Sequence, residues 1–188
     1  MKTALVFVAD GVEEIETVGI VDTLRRGGIE VTMASISKDV VIVASRKVKI
    51  VADVLFDEIK DKDFDLLVLP GGADGAKNFS QHEELIKLFQ KQKDAGKLYG
   101  AICASPAVVL SKSGLLKNIS SATCYPALSD QLKSNASETN YNSQDRVVVS
   151  ENCVTSQGPG TAIEYGLKLI ELLVGKEKAE EVRKAMLV

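Results

Sequence analysis

The chain has 188 residues, of which 45% are hydrophobic and 26% charged, with a formal net charge of −3. That mix predicts a globular chain with one domain over residues 1–188. No basic tract suits a nucleic-acid partner, no apolar run approaches the roughly 20 residues of a membrane span, and three widely spaced cysteines form no disulfide framework.

A reducing compartment fits those cysteines, which places the protein in the cytoplasm. Residues 4–9 are a continuous apolar run and predict a central parallel strand. Lys2 and Thr3 before that run have the outline of a secretory leader. The acidic stretch from Asp10 to Glu14 follows at once, so the run is read as core. Residues 13–26 predict a helix, with Ile15, Val18, Val21 or Asp22, and Leu24 at helical spacing. Its acidic start and basic end suit the helix dipole, and Gly27-Gly28 stops it.

Residues 30–35 predict a second strand. Residues 40–43 and 47–51 predict a hairpin around Ser45-Arg46 at one edge. A buried strand over 64–69 ends at Pro70-Gly71-Gly72, where Gly71, Gly72 and Gly75 permit close backbone approach. A helix over 83–95 follows. Lys97 to Leu110 predict a short buried strand, a sharp turn at Cys103 and a helix starting near Ser105-Pro106. Residues 120–123 predict a short strand ended by Tyr125-Pro126. The polar segment 129–146 predicts loop. Strands over 146–150 and 153–156, joined by Glu151-Asn152, precede helices over 161–173 and 177–185. Alternating strands and helices predict a parallel α/β sheet covered on both faces. Ligands of such sheets sit at the carboxyl ends of strands, where Asp10-Gly11, Gly71-Gly72, Cys103 and Ser156-Gln157-Gly158 converge.

Cys103 carries the chemistry. Ser105 suits a helix N-cap and Pro106 a first helical turn. The positive end of that helix favours thiolate, the nucleophilic form. Cys124 and Cys153 read as small buried hydrophobes. His82, the single histidine, sits at a helix start and reads as a surface residue, so a cysteine–histidine pair is a poor reading. No cysteine or histidine pair has metal-ligand spacing, and the glycines from Gly71 to Gly75 match neither a phosphate loop nor a dinucleotide fingerprint. No metal and no cofactor are expected. Glu13 and Glu14 read as solvated, and spacing does not single Glu16 out from them.

Several motifs taken together resemble one family. They are Ala4-Leu5-Val6, the stretch from Gly11 to Glu16, Val21 to Arg26, Val68-Leu69-Pro70-Gly71-Gly72, Ala101-Ile102-Cys103-Ala104, and Thr155 to Thr161. In this order they are similar to the DJ-one family of the PfpI-like superfamily. The resemblance implies a flavodoxin-like three-layer α/β sandwich with a mainly parallel central sheet, a homodimer, and Cys103 on a nucleophile elbow. It implies that Glu16 is a buried carboxyl contacting the thiolate. It further implies that Gly72, Ala73 and Ala104 offer amides to a substrate oxyanion.

The implied activity is a cofactor-free glyoxalase or deglycase acting on methylglyoxal-type aldehydes or glycated protein. The alternative is a redox sensor or chaperone whose cysteine becomes a sulfinate. Ala104 stands where peptidase-like relatives carry histidine, which argues against a protease. Tyr125 stands where some relatives carry another histidine, and a neutral phenol is a poor base at pH 7. Arg26 and Arg46 are candidates for guiding a polar substrate to the mouth.

Overall fold

The computed structural model describes residues 1–188. Strand β1 (Thr3–Val8) is buried from Ala4 onward, as a central strand covered on both faces must be. It pairs in parallel with β2 (Glu30–Ser35) on one side and β6 (Leu66–Leu69) on the other. Between β2 and β6 lie β3 (Val41–Val43), β4 (Lys49–Val51) and the two-residue β5 (Val54–Leu55). The chain continues through α2 (Ala73–Ser80), α3 (Glu83–Asp94), β7 (Leu98–Ile102), β8 (Ser121–Ala122), α4 (Ser129–Asn135) and β9 (Asn140–Tyr141). It ends with β10 (Val147–Ser150), β11 (Cys153–Ser156), α5 (Ala162–Leu173) and α6 (Lys176–Met186). The first helix, α1, spans Glu14–Arg26.

Seven strands form one sheet in the order β10-β11-β7-β6-β1-β2-β5, parallel except for β10. Strands β3 and β4 form the expected antiparallel hairpin outside it. Helix α1 packs on α5 and α5 on α6, while α2 packs on α3 and on the turn after β7. The chain leaves β1 toward β2 and returns to β6 on the other flank of β1. The β1/β6 crevice is therefore the switch point at which such sheets bind ligands. Beneath it, Phe7 contacts Phe56 edge-on with ring centroids 5.3 Å apart and Phe89 at 5.5 Å. Each ring buried this fully contributes on the order of 2 kcal/mol, which makes the β1 register expensive to shift.

Two expectations fail in part. Half of the apolar face that spacing suggested for α1 is buried: Val21 and Leu24 are, Ile15 and Val18 are not. Ile15 and Val18 are 61% and 53% exposed, and the buried stripe runs through Glu16, Thr17, Ile20, Val21, Thr23 and Leu24. Close contact with α5 selects that stripe: a Cβ on Gly166 would meet Thr23 Cβ at 2.8 Å. Segment 129–146 is not all loop, because buried Leu132 anchors α4 and β9 pairs with β8. The glycine stretch after β6 also opens a helix, and the close approach read for Gly75 is present. Helix α2 starts at Ala73, and Gly75 lies where a Cβ would meet Val12 Cα at 2.8 Å.

Candidate active site

Cys103 follows β7 with φ +65°, the left-handed region that non-glycine residues seldom adopt. Two hydrogen bonds hold it there. Its N–H donates to Ser156 O at 3.0 Å, and its carbonyl accepts from Tyr125 N–H at 2.7 Å. Next comes a π-helical turn, Pro106–Leu110, closed by Ser111 N–H donating to Pro106 O at 2.9 Å. Pro106 opens that turn as expected, but Ser105 does not cap it. Its backbone is already helical (φ −65°, ψ −34°), and its hydroxyl donates instead to Pro70 O at 2.5 Å. Ser105 thus ties the elbow to the loop after β6.

Glu16 sits in the first turn of α1 and is wholly buried. Its Oε2 accepts from Gly71 N–H at 2.7 Å, and its Oε1 has no hydrogen-bond partner in the chain. Glu13 is the N-cap of α1, its carboxylate accepting from Glu16 N–H at 2.8 Å. Glu13 N–H donates to Gly71 O at 3.1 Å. The helix start therefore grips Gly71 at both its amide and its carbonyl. A Cβ on Gly71 would lie 2.5 Å from Cys103 Cβ, 2.8 Å from Glu16 Oε2 and 3.0 Å from Cys103 Sγ. Thiol and carboxyl thus meet over one bare Cα. Gly72 has φ +86°, and the amides of Gly72 and Ala104 both act on the Cys103 sulfur. Ala73 opens α2, so its N–H lacks an intrahelical acceptor.

The electrostatics of the pair are opposed. Burial raises Glu16 from the ordinary 4.5 to about 7, against the pull of the Gly71 amide and the Cys103 thiol. Burial also pushes the Cys103 thiol up to about 12, with the Glu16 charge adding to it and the amides of Gly72 and Ala104 pulling down. The two groups share one proton across the range between those values. With that proton on Glu16, the sulfur is a thiolate facing two amides. The helix effect expected from sequence is thus countered by burial, and the helix that was to supply it is one π turn long.

Cys124 and Cys153 are buried, and burial pushes both thiols up to about 12. His82 is the N-cap of α3, where its Nδ1 accepts from Leu85 N–H at 3.3 Å and its ring meets Phe56 edge-on. Tyr125 is half exposed beside the elbow, and a Cβ on Gly158 would lie 3.6 Å from its ring. Arg26 is not brought to the site. It pairs with Asp22 at 2.7 Å on the far end of α1, roughly 15 Å along the axis from Glu16. Arg46 lies in the hairpin turn, with its guanidinium 3.5 Å from Ser45 O. Neither Glu13 nor Glu14 is simply solvated: Glu13 caps, and Glu14 is buried against the hairpin. Glutamate is not among the usual N-cap residues, so the sequence carried no signal for that cap.

A model of the DJ-1/PfpI family matches residues 2–172. The chain belongs to the DJ-1/PfpI family. Protein DJ-1 homolog B of Arabidopsis thaliana is 45% identical over 184 residues, covering 98% of this chain and 41% of the relative. The chain thus spans less than half the length of that relative. Glutathione-independent glyoxalase DJR-1.2 of Caenorhabditis elegans is 35% identical, covering 98% of this chain and 96% of the relative. The solved structure of oxidized Toxoplasma gondii DJ-1 superposes with a TM-score of 0.93 at 41% identity, covering 100% of this chain and 98% of that one. In this DJ-1/PfpI chain no helix is long and apolar enough to cross a membrane.

Proposed function

We propose that this DJ-1/PfpI protein is a cysteine-dependent, cofactor-free glyoxalase and deglycase of the cytoplasm. It would act on methylglyoxal-type aldehydes or early glycation adducts on proteins. The supporting observation is the buried Glu16 carboxyl facing the Cys103 thiol, with the amides of Gly72 and Ala104 on the same sulfur. A relative 35% identical over nearly its whole length bears the name glutathione-independent glyoxalase.

In this reading the Cys103 thiolate attacks the aldehyde carbon and forms a hemithioacetal. The negative charge moves to the former carbonyl oxygen, where the amides of Gly72, Ala73 and Ala104 meet it. Glu16 then shuttles a proton from the aldehyde carbon to the neighbouring ketone carbon, leaving a thioester on Cys103. Water hydrolyses that thioester, which releases lactate and restores the thiol. Tyr125 lines the mouth. His82, engaged as the α3 cap, takes no part.

The protein as a homodimer is part of the same reading. Ile15 and Val18 on α1, with Val41, Val43 and Val51 on the hairpin, form large exposed apolar positions.

The test is lactate formation from methylglyoxal without glutathione. Cys103→Ser abolishes it and Glu16→Ala cuts it severely, with both variants folded. Wild-type turnover by Cys103→Ser, or a requirement for glutathione, overturns the mechanism.

One observation favours a redox-sensing reading of the same cysteine. Glu16 Oε1 is buried without a partner, so the protonated carboxyl next to the thiol has an O–H to offer an oxygen added to the sulfur. Mild peroxide then gives a sulfinate on Cys103. Intact-mass analysis that finds only a disulfide at Cys103 contradicts that reading.

A further inference from the structure

Glu14 is the buried ionisable group that the proposed chemistry does not use. It is 8% exposed and lies two residues before Glu16 on the same helical turn. Residues two apart on a helix point about 200° apart, so Glu16 enters the site while Glu14 faces away from it. There the tip of the β3–β4 hairpin closes on its carboxylate. Ser45 Oγ donates to Oε2 at 2.7 Å, and Arg46 N–H donates to Oε1 at 2.7 Å. These bonds hold the carboxyl below its ordinary value although its burial acts the other way.

The same hairpin is tied to the loop between β1 and α1. Ser45 N–H donates to Val12 O at 2.8 Å, Gly11 N–H to Val43 O at 2.9 Å, and Val43 N–H to Asp10 Oδ1 at 2.8 Å. A continuous path of bonds therefore runs from the hairpin through Glu14 to the first turn of α1. It goes on through Glu13 and Glu16 to Gly71, and so to the thiol.

We infer that Glu14 is a positioning residue: by seating the first turn of α1 on the hairpin, it sets where the Glu16 carboxyl meets Cys103. This rests on the pairing of Glu16 with the thiol proposed above. Glu14 touches neither substrate nor sulfur, and its effect passes through Glu16.

A double-mutant cycle on the full chain separates this role from plain structural support. The readout is the rate of Cys103 alkylation by iodoacetamide against pH, with peptide mapping. Glu16→Ala removes the neighbouring negative charge and shifts the midpoint of that profile downward. Glu14→Ala shifts it in the same direction by less, speeding alkylation near pH 7 by about threefold, or half a pKa unit. In the Glu16→Ala background, Glu14→Ala adds no further shift. Ser45→Ala removes one bond to the same carboxylate and serves if Glu14→Ala does not fold; its shift is smaller and likewise vanishes without Glu16. A Glu14 or Ser45 effect of equal size with and without Glu16 overturns the inference. So does an unmoved midpoint in Glu14→Ala. If Glu16→Ala itself leaves the midpoint in place, the thiol–carboxyl pairing fails, and this inference fails with it for a distinguishable reason.

Discussion

Glu16 pays for its position with desolvation. Removing a carboxylate from water without a cation beside it favours the neutral form, which is the origin of its shift to about 7. The sign of the stability effect follows. Between 4.5 and about 7 the folded chain keeps a proton that the unfolded chain has released. Stability from this group is therefore fully present below the lower value and lost as pH rises through the upper one. Glu16→Gln has no such titration. The difference between variant and wild type should move in favour of the variant by on the order of 1 to 3 kcal/mol between about pH 5 and about pH 8. Urea unfolding at both pH values measures it; a constant difference would show an ordinary carboxyl. Cys103 itself should alkylate well before Cys124 and Cys153, because only its sulfur faces backbone amides of this kind. Equal labelling of all three thiols in the folded chain would remove that distinction.

Among the elements, the elbow and the two loops facing it show what a sequence reveals and what it hides. The apolar run of β1, the stop at Gly27 and the turn at Cys103 were legible, since each is set by local chemistry: burial on both faces, a helix-ending glycine, a strand running into Pro106. The inner face of α1 was legible only at Val21 and Leu24, both buried as spacing suggests. Ile15 and Val18 are also residues that spacing assigns to a core, and Glu16 is one that it assigns to solvent. Only tertiary contact with α5 and Gly71 reverses them. Helix α2 was hidden because two glycines precede it and a third lies inside it. Gly71 joined a legible motif, but its role as the bare spacer between thiol and carboxyl needs coordinates. It carries a prediction. In Gly71→Ala the new methyl would lie 2.5 Å from Cys103 Cβ and 2.8 Å from Glu16 Oε2, so one of the two side chains must move. A displacement near 1 Å of a reacting group costs about a hundredfold in rate. Lactate formation should fall by about that factor while the far-ultraviolet circular dichroism is kept. Unchanged turnover would mean that the two groups need not meet.

The whole molecule places its chemistry at the switch point of a seven-stranded sheet, with the loops after β1, β6 and β7 converging there. The parallel sheet follows from alternating strand and helix, whereas the surface left over does not. Ile15 is 61% exposed, Val18 53% and Val51 61%, although such side chains cost free energy in water, roughly 25 cal/mol for each Å² of apolar area. Glu14 ties the hairpin that bears Val51 to the helix that bears Ile15 and Val18. A groove of about 460 Å³ adjoins Ile15, its lining including Ile163 and Leu167 together with the charged Arg146, Glu164 and Arg183. A second copy of the chain, meeting this surface about a two-fold axis, would cover the same patch on both partners, as an isologous contact requires. The double substitution Ile15→Glu with Val18→Glu places two like charges in each half of such a contact, and neither faces the core or the site. Light scattering coupled to gel filtration should then give twice the chain mass of 20.2 kDa for wild type and the single mass for the variant. A wild-type chain that runs as a monomer at micromolar concentration, or a variant that stays dimeric, would put the α1 face outside the subunit contact.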